Sequence, residues 1–551
     1  MLIQQFKRIV PERWKRVRLG PVEWIAGALA TLLVCWLHFL FMRSAGAIWR
    51  DEVVSVNVAG QPSLGQLWES LRFESFPGLF HLILRGWMLA FGGADHALRL
   101  LGSLVGLGIA IAFWINGRLL HYRVPFVSLA LLGFSPLVIR TTDSLRAYGL
   151  GILCIVLTAG LVWRVVESPS FYRVCLAATL AILSVQSLYQ NSFLLFAVCL
   201  GAIVVTLLAH NWRGFAAIMG IGLVSLLSLA VNIPAILRLR EISELMPRGV
   251  SLEHLFAVFA AALTDGGDFM FWIWAALVLG GLIVALRLPG TAGAVSDRGR
   301  ELAVFSGVTI VAAGLGFFVW LKVLGLRSEP WYFVPLLAIL GLSLDAIFGT
   351  LPRSRNWEAA RIVFFITFSL LLFFRAIPGA RMRQTNIDLI SLELERNAGK
   401  DDLIVVNPWY FGATFSRYFH GQTEWLTLPP LKDQTLQRLD LFREQMMAPD
   451  PIGPVMQKIE NVLRAGHQVW LVGDLPFHQP GETPPQILPV PADQPARDYD
   501  RYAYIWAVQV AYFVQIHRES MTKVLITTDQ QINPYESPAL LVVAGWRSAP
   551  P

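Results

Sequence analysis

Charge is what this sequence has least of. Only 15% of its 551 residues are Asp, Glu, Lys or Arg, where a soluble chain carries about 25%. Hydrophobic residues make up 55% and the mean hydropathy is +0.55. That deficit excludes an ordinary cytosolic enzyme, a disordered protein and a coiled coil. Cysteine is scarce as well. Cys35, Cys154, Cys175 and Cys199 are the only four, each lies in an apolar run, and none forms a CxxC pair or a Cys/His cluster. A disulfide framework and a structural zinc site are therefore unsupported, and the four read as small packing residues. Internal repeats, low-complexity tracts, a Walker-type loop and a GxGxxG turn opening a helix are also missing, so no soluble nucleotide site is indicated.

What is present is a series of long apolar runs. A hydrocarbon core of about 30 Å takes roughly 20 apolar helical residues. That ruler predicts spans near 22–42, 95–117, 124–141, 146–166, 174–190, 192–210, 214–236, 269–288, 303–322, 331–350 and 361–379, about eleven in all. The net charge of +7 then reads as Lys and Arg holding cytoplasmic loops inside rather than as a nucleic-acid surface. With the N-terminus inside, Arg118, Arg123, Arg164, Arg173, Arg213, Arg298, Arg300, Arg353 and Arg355 fall on inside connections. No cleavable leader is expected, because the basic start (Lys7, Arg8, Arg13, Lys15, Arg16, Arg18) leads straight into a run of full spanning length. Outer segments hold Arg50, Arg72, Arg85, Arg238, Arg240 and Arg327. These break the charge rule and call for another explanation.

Two outer loops are long. The first, 43–94, holds SLGQLWESLRF and PGLFHLILRGWMLAFG, the latter resembling an interfacial helix interrupted by His81 and Arg85. The second, 237–268, holds RLREISELMPRG and a mildly apolar AVFAAALTDGGD run. From 383 to 551 polar residues and proline return. DLIVVNP, HQVWLVGDL, KVLITT and ALLVVAGW read as short buried strands, and NIDLISLELERN and PVMQKIENVLRAG as helices between them. YAYIWAVQVAYFVQIH carries Gln509 and Gln515 and fits a domain-buried or amphipathic helix better than a twelfth span. The expected fold is thus a polytopic α-helical membrane domain over 1–382, followed by an extracytoplasmic α/β domain over 383–551.

Three constellations could carry chemistry. In WRDEVVSVNVAG, Asp51 and Glu52 follow the first span by a few residues. The plain alternative is a solvated acid pair, but Trp49, Arg50 and the interfacial helix make a roofed cleft plausible, with a carboxylate as general base. In SPLVIRTTDSLRAYGLGIL, Arg140, Asp143, Arg146 and Tyr148 lie between two spans. If that stretch is helical, Asp143 and Arg146 are i,i+3 partners, and a local ion pair is the plain alternative. In LGLRSEPWYFVPLL, Arg327 and Glu329 precede Trp331 and Tyr332. The aromatics suit an interface belt, and Arg327 suits a phosphate, as do Arg238, Arg240 and Arg248. His81 reads first as a polar-face residue. With Asp51, Glu52 and Asp143 it offers ligand types for a divalent cation, without a ligand-spacing motif.

In this order these features resemble the GT-C superfamily of membrane glycosyltransferases, in particular the bacterial relatives of protein O-mannosyltransferases and of the lipid A aminoarabinose transferase. Asp51-Glu52 matches the acidic pair after the first span. FPGLFHLIL is a degenerate form of a segment often written PPLYY. ALRLLGSLVG, with Arg99 and Ser103, is similar to the start of the second span. SPLVIRTTDSLRAYGL keeps Arg146 and Tyr148 of an acidic-Arg-Tyr motif, with the acid three residues before the Arg rather than two. RSEPWYFVPLL matches a late RY segment. The outer α/β domain with DLIVVNP is also similar.

The resemblance implies inverting transfer from a polyprenyl-phosphate-linked sugar to a lipid, glycan or protein acceptor, on the outer face of the bacterial cytoplasmic (inner) membrane. It implies Asp51 as the base, with Glu52 or Asp143 as support or as the base itself. Arg327, Arg238, Arg240 and Arg146 would hold the donor phosphate, and His81, Tyr148 and Tyr332 would contact substrate. Membrane lipids are the remaining expected partners. A lipid or sugar-lipid flippase would place paired charges at mid-span and often show repeated halves. A noncatalytic envelope-assembly scaffold would tolerate replacement of Asp51.

Overall fold

A computed structural model of the chain describes residues 19–237, 245, 250–287, 296–325, 327–352, 354–477, 483–491 and 497–548. Among these, nine helices are long and apolar enough to cross a membrane: Gly20–Ser44, Asp95–Leu119, Ala147–Glu167, Asn191–Leu208, Trp212–Leu237, Phe269–Arg287, Asp297–Leu324, Pro330–Gly349 and Arg355–Ala380. Each coincides with an expected run, and together they make a multi-pass membrane protein. Serine starts several of the helices. Ser170, Ser296 and Ser354 each accept an N–H from the first turn of the helix that follows, satisfying a donor that has no partner within the helix.

Two of the expected runs are built differently. Residues 124–141 break into a π-helical turn, Ser128–Leu132, and a helix, Pro136–Thr142. Buried Asp345 accepts the backbone N–H groups of Val127 at 2.8 Å and Ser128 at 2.9 Å. Ser135 and Pro136 then start a new helix, with Ser135 Oγ accepting from Val138 N–H at 3.2 Å. The other run is a 17-residue helix, Phe171–Ser187, short for a span.

The first long loop folds into helices Arg50–Ala59, Leu64–Ser70 and Leu79–Phe91. In the second, Leu252–Leu263 is helical, while most of RLREISELMPRG lies outside the described residues.

After the last span comes a five-stranded sheet, ordered β2-β1-β3-β5-β4. The strands are β1 Leu403–Val406, β2 Glu424–Thr427, β3 Val469–Val472, β4 Arg518–Val524 and β5 Leu540–Trp546. β1 is parallel to β2 and β3, whereas β5 is antiparallel to β3 and β4. β1 and β3 are buried at all four positions, as helices on both faces require. Leu403, Val405, Val469 and Leu471 pack with helices Leu439–Met447, Gly453–Arg464 and Tyr499–His517. Ile404, Val406, Trp470 and Val472 pack with helix Ile387–Asn397. The aromatic run at 499–517 is thus a helix of the sheet's own core. β2 was not anticipated, and β4 begins five residues before KVLITT, because an edge strand tolerates charged residues such as those in RESMTKV.

The sheet region is seated on the helical region by polar contacts. Gln384 N–H donates to Ala45 O at 2.8 Å, Ile48 N–H to Tyr418 Oη at 2.8 Å, and Asn57 Nδ2 to Thr435 O at 2.7 Å. Arg417 and Tyr418 both donate to Asp95, at 2.6 and 2.5 Å.

Candidate active site

The first acidic pair sits in the opening turn of helix Arg50–Ala59. Trp49 is its extended N-cap, and the Glu52 carboxylate accepts the Trp49 N–H at 3.3 Å. Acids favour a helix N-terminus, which accounts locally for the run RDE. Adjacent residues on a helix point about 100° apart, so the two carboxylates enter different surroundings. Glu52 is buried. It accepts from Arg99 at 2.7 Å and from Leu145 N–H at 3.0 Å. Arg99, equally buried, also donates to Ala47 O at 2.9 Å. Asp51 instead faces an open cavity of about 280 Å³. Among the described residues its carboxylate meets Gln437 Nε2 at 3.2 Å and Arg50 Nε at 3.4 Å.

Trp49, Arg140, Arg146, Tyr148, Asp265, Trp331 and Tyr535 share this cavity with Asp51. Arg146 is the N-cap residue of helix Ala147–Glu167. One of its terminal nitrogens donates to Asp51 O at 2.9 Å, Ser55 Oγ at 3.2 Å and Glu74 Oε1 at 3.2 Å. Its guanidinium lies 4.6 Å from the Phe76 ring centre, and its buried Nε has no hydrogen-bond partner among the described residues. Arg140 stands 3.6 Å from Asp265. Tyr148 and Tyr332 stack at 6.2 Å.

The i,i+3 pairing of Asp143 with Arg146 does not occur. Arg146 has an extended backbone, φ −127° and ψ 160°, so the intervening residues never form a helical turn. Asp143 pairs instead with His38 Nδ1 at 2.7 Å, deep between helices, and its Oδ2 has no partner among the described residues. Gly102 and Gly106 make room for it. A Cβ at either would stand 1.9 Å from Asp143 O and Oδ1 respectively.

His81 is not a polar-face residue. It is fully buried, 3.6 Å from Glu74, because the helix turns it toward the bundle. Burial would push the Glu74 carboxyl up, but Arg146 and His81 outweigh burial and hold it below its ordinary value. Arg327 is 70% exposed, 3.7 Å from Glu329, and does not line the cavity. Arg238, Arg240 and Arg248 lie outside the described residues. Among the described residues, no group of three or more His, Cys, Asp or Glu could hold a metal ion, and His81 stands with Glu74 rather than completing a set with Asp51, Glu52 and Asp143.

Sequence reading did not assign Glu74, His38, Asp265, Gln437, Tyr535 or Glu536 a place here. A histidine inside an apolar span and an acid just before FPGLF were readable signals. Nothing local marks Gln437, Tyr535 or Glu536, which arrive from the sheet region.

The arrangement is that of a polytopic helical membrane protein, with an acid-and-arginine cavity beside an α/β sheet region. Among solved structures, ArnT from Cupriavidus metallidurans bound to undecaprenyl phosphate superposes with a TM-score of 0.52 at 12% identity, covering 94% of this chain and 98% of that one. The same protein in the apo state gives 0.50 at 11%, covering 95% and 98%. At such identities the likeness establishes the fold. No family model and no curated protein sequence matches the chain.

Proposed function

We propose that this chain is a glycosyltransferase. It moves a sugar from a polyprenyl-phosphate-linked donor to an acceptor at the outer face of the bacterial cytoplasmic membrane, with inversion at the anomeric carbon. In this reading the N-terminus is cytoplasmic, residues 1–382 form the transmembrane catalytic part, and 383–551 form the outer domain. The observation that carries the reading is one cavity holding a lightly paired carboxylate, Asp51, together with two arginines, Arg140 and Arg146.

The acceptor oxygen attacks the anomeric carbon while Asp51 takes its proton. The bond from that carbon to the phosphate oxygen breaks, and the lipid phosphate leaves with the electron pair. Its growing charge falls to Arg146, whose Nε has no partner among the described residues, and to Arg140. The first turn of helix Ala147–Glu167, beside Arg146, favours an anion in the same place. Preorganised donors in a water-poor site stabilise such charge far better than bulk water does. Glu52 and Asp143 act as supports: Glu52 fixes the helix that presents Asp51, and Asp143 pairs with His38 between the spans. Tyr148 walls the substrate, and Tyr332 stacks against Tyr148.

The test compares envelope lipids and glycans by mass spectrometry in cells with the protein, without it, and with Asp51→Asn. One glycosyl mass should disappear without the protein. With Asp51→Asn at normal abundance it should fall at least ~100-fold, the usual scale for losing a general base. A full signal from Asp51→Asn would remove Asp51 from the mechanism.

A further inference from the structure

Three aromatic rings from three distant segments meet at the cavity. Trp49 is the N-cap of helix Arg50–Ala59, Trp331 belongs to the short turn Pro330–Phe333, and Tyr535 to the turn Pro534–Glu536. Trp331 and Tyr535 are 5.0 Å apart between ring centres at 78°, Trp49 and Trp331 6.3 Å at 87°, and Trp49 and Tyr535 6.4 Å at 54°. An interface belt accounts for aromatics that face lipid headgroups singly. It does not account for three that converge on one open cavity, one of them, Trp49, only 9% exposed.

Two buried amides, Gln384 and Asn533, line the same cavity. Asn533 Nδ2 reaches Gln384 Oε1 only at 3.4 Å, and Gln384 Nε2 reaches Met382 O only at 3.4 Å. These are long for such bonds; Asn533 Oδ1 already accepts the Tyr535 N–H at 3.2 Å, so the capacity left for a ligand lies with the weakly held Asn533 and Gln384 NH2 groups. Asp51 is similarly underused.

A sugar ring has a C–H-rich face and a rim of hydroxyls. Flat aromatic surface takes the face, while amides and carboxylates take the rim. A prenyl chain has no rim and would bury Gln384, Asn533 and Asp51 against hydrocarbon, with a desolvation penalty at each. We propose that Trp49, Trp331 and Tyr535 form a platform for a saccharide ring of the acceptor, with Gln384 and Asn533 binding its hydroxyls, so that the acceptor is a glycan or a glycolipid. This rests on the reading of Asp51 as the base, because only an acceptor hydroxyl needs that carboxylate beside it.

The test uses the full chain in lipid nanodiscs and saturation-transfer NMR. The probes are methyl glycosides of glucose, galactose, mannose, N-acetylglucosamine and arabinose, with farnesyl phosphate as a short prenyl phosphate and a serine tripeptide amide as a peptide probe. At least one glycoside should bind the native protein. Trp331→Ala should weaken it about tenfold, the scale of one lost aromatic contact, and should leave farnesyl phosphate within twofold. Tyr535→Leu gives the same result if Trp331→Ala does not fold. Binding of no glycoside, loss of farnesyl phosphate in place of the glycoside, or binding of the tripeptide alone each overturns the proposal. Asp51→Asn keeps the two ideas apart. A glycoside that still binds this variant while envelope transfer persists leaves the platform standing and removes the base.

Discussion

Glu536 accepts the backbone N–H of Arg50 at 2.8 Å, across 486 positions of chain. Its other oxygen accepts from Thr385 at 3.0 Å. A carboxyl group from the sheet region therefore caps the helix that presents Asp51, accepting an N–H that has no partner within the helix. Gln437, also from the sheet region, touches the Asp51 carboxylate itself.

Glu536 should make this seating depend on pH. Burial raises its carboxyl from 4.5 to about 7, partly offset by Arg50. The folded chain then holds a proton that the unfolded chain releases between those values. Stability from this group is fully present below about pH 4.5 and is lost as pH rises through about 7, a loss on the order of 3 kcal/mol. Thermal unfolding of the native protein should show a falling midpoint across that window. Glu536→Gln should flatten the slope, and an unchanged slope would exclude Glu536 as its source.

Glu52 and Arg99 are a buried pair at 2.7 Å. Glu52→Gln strands the Arg99 charge and should cost about 3–5 kcal/mol. Folded yield and unfolding temperature in detergent would report this. Asp51→Asn, on the next residue but facing the cavity, should leave both near native.

Arg146→Lys keeps one charge but loses the guanidinium fork. Affinity for a polyprenyl phosphate probe of the proposed donor site, measured by titration in nanodiscs, should fall about tenfold or more. Arg327→Ala, at an exposed side chain, should change it less. The opposite ranking would return the phosphate to Arg327.

Gly106→Ala would drive a methyl group into Asp143 and His38. Overpacking of this kind costs about 1–3 kcal/mol or more. The variant should unfold at lower temperature, while Gly314→Ala, with nothing near its Cβ, should not.

Composition and hydropathy alone determined the membrane class, because hydrocarbon accepts only long apolar helices and their length is written directly in the chain. The α/β character of residues after 383 was legible for the same kind of reason: LIVV and VWLV can be satisfied only as buried strands. The order of short motifs was enough to single out Asp51, Arg146 and Tyr148, all of which line the cavity. Only the tertiary structure decided which acid faces the cavity and which faces Arg99, since one residue's rotation on a helix separates them. It alone sent Asp143 to His38, buried His81 against Glu74, and brought Tyr535, Gln437 and Glu536 onto the first loop. Apart from Glu74 and His81, those partners lie from 47 to 486 positions apart, and nothing in a local run of residues encodes a meeting that depends on how helices and sheet pack.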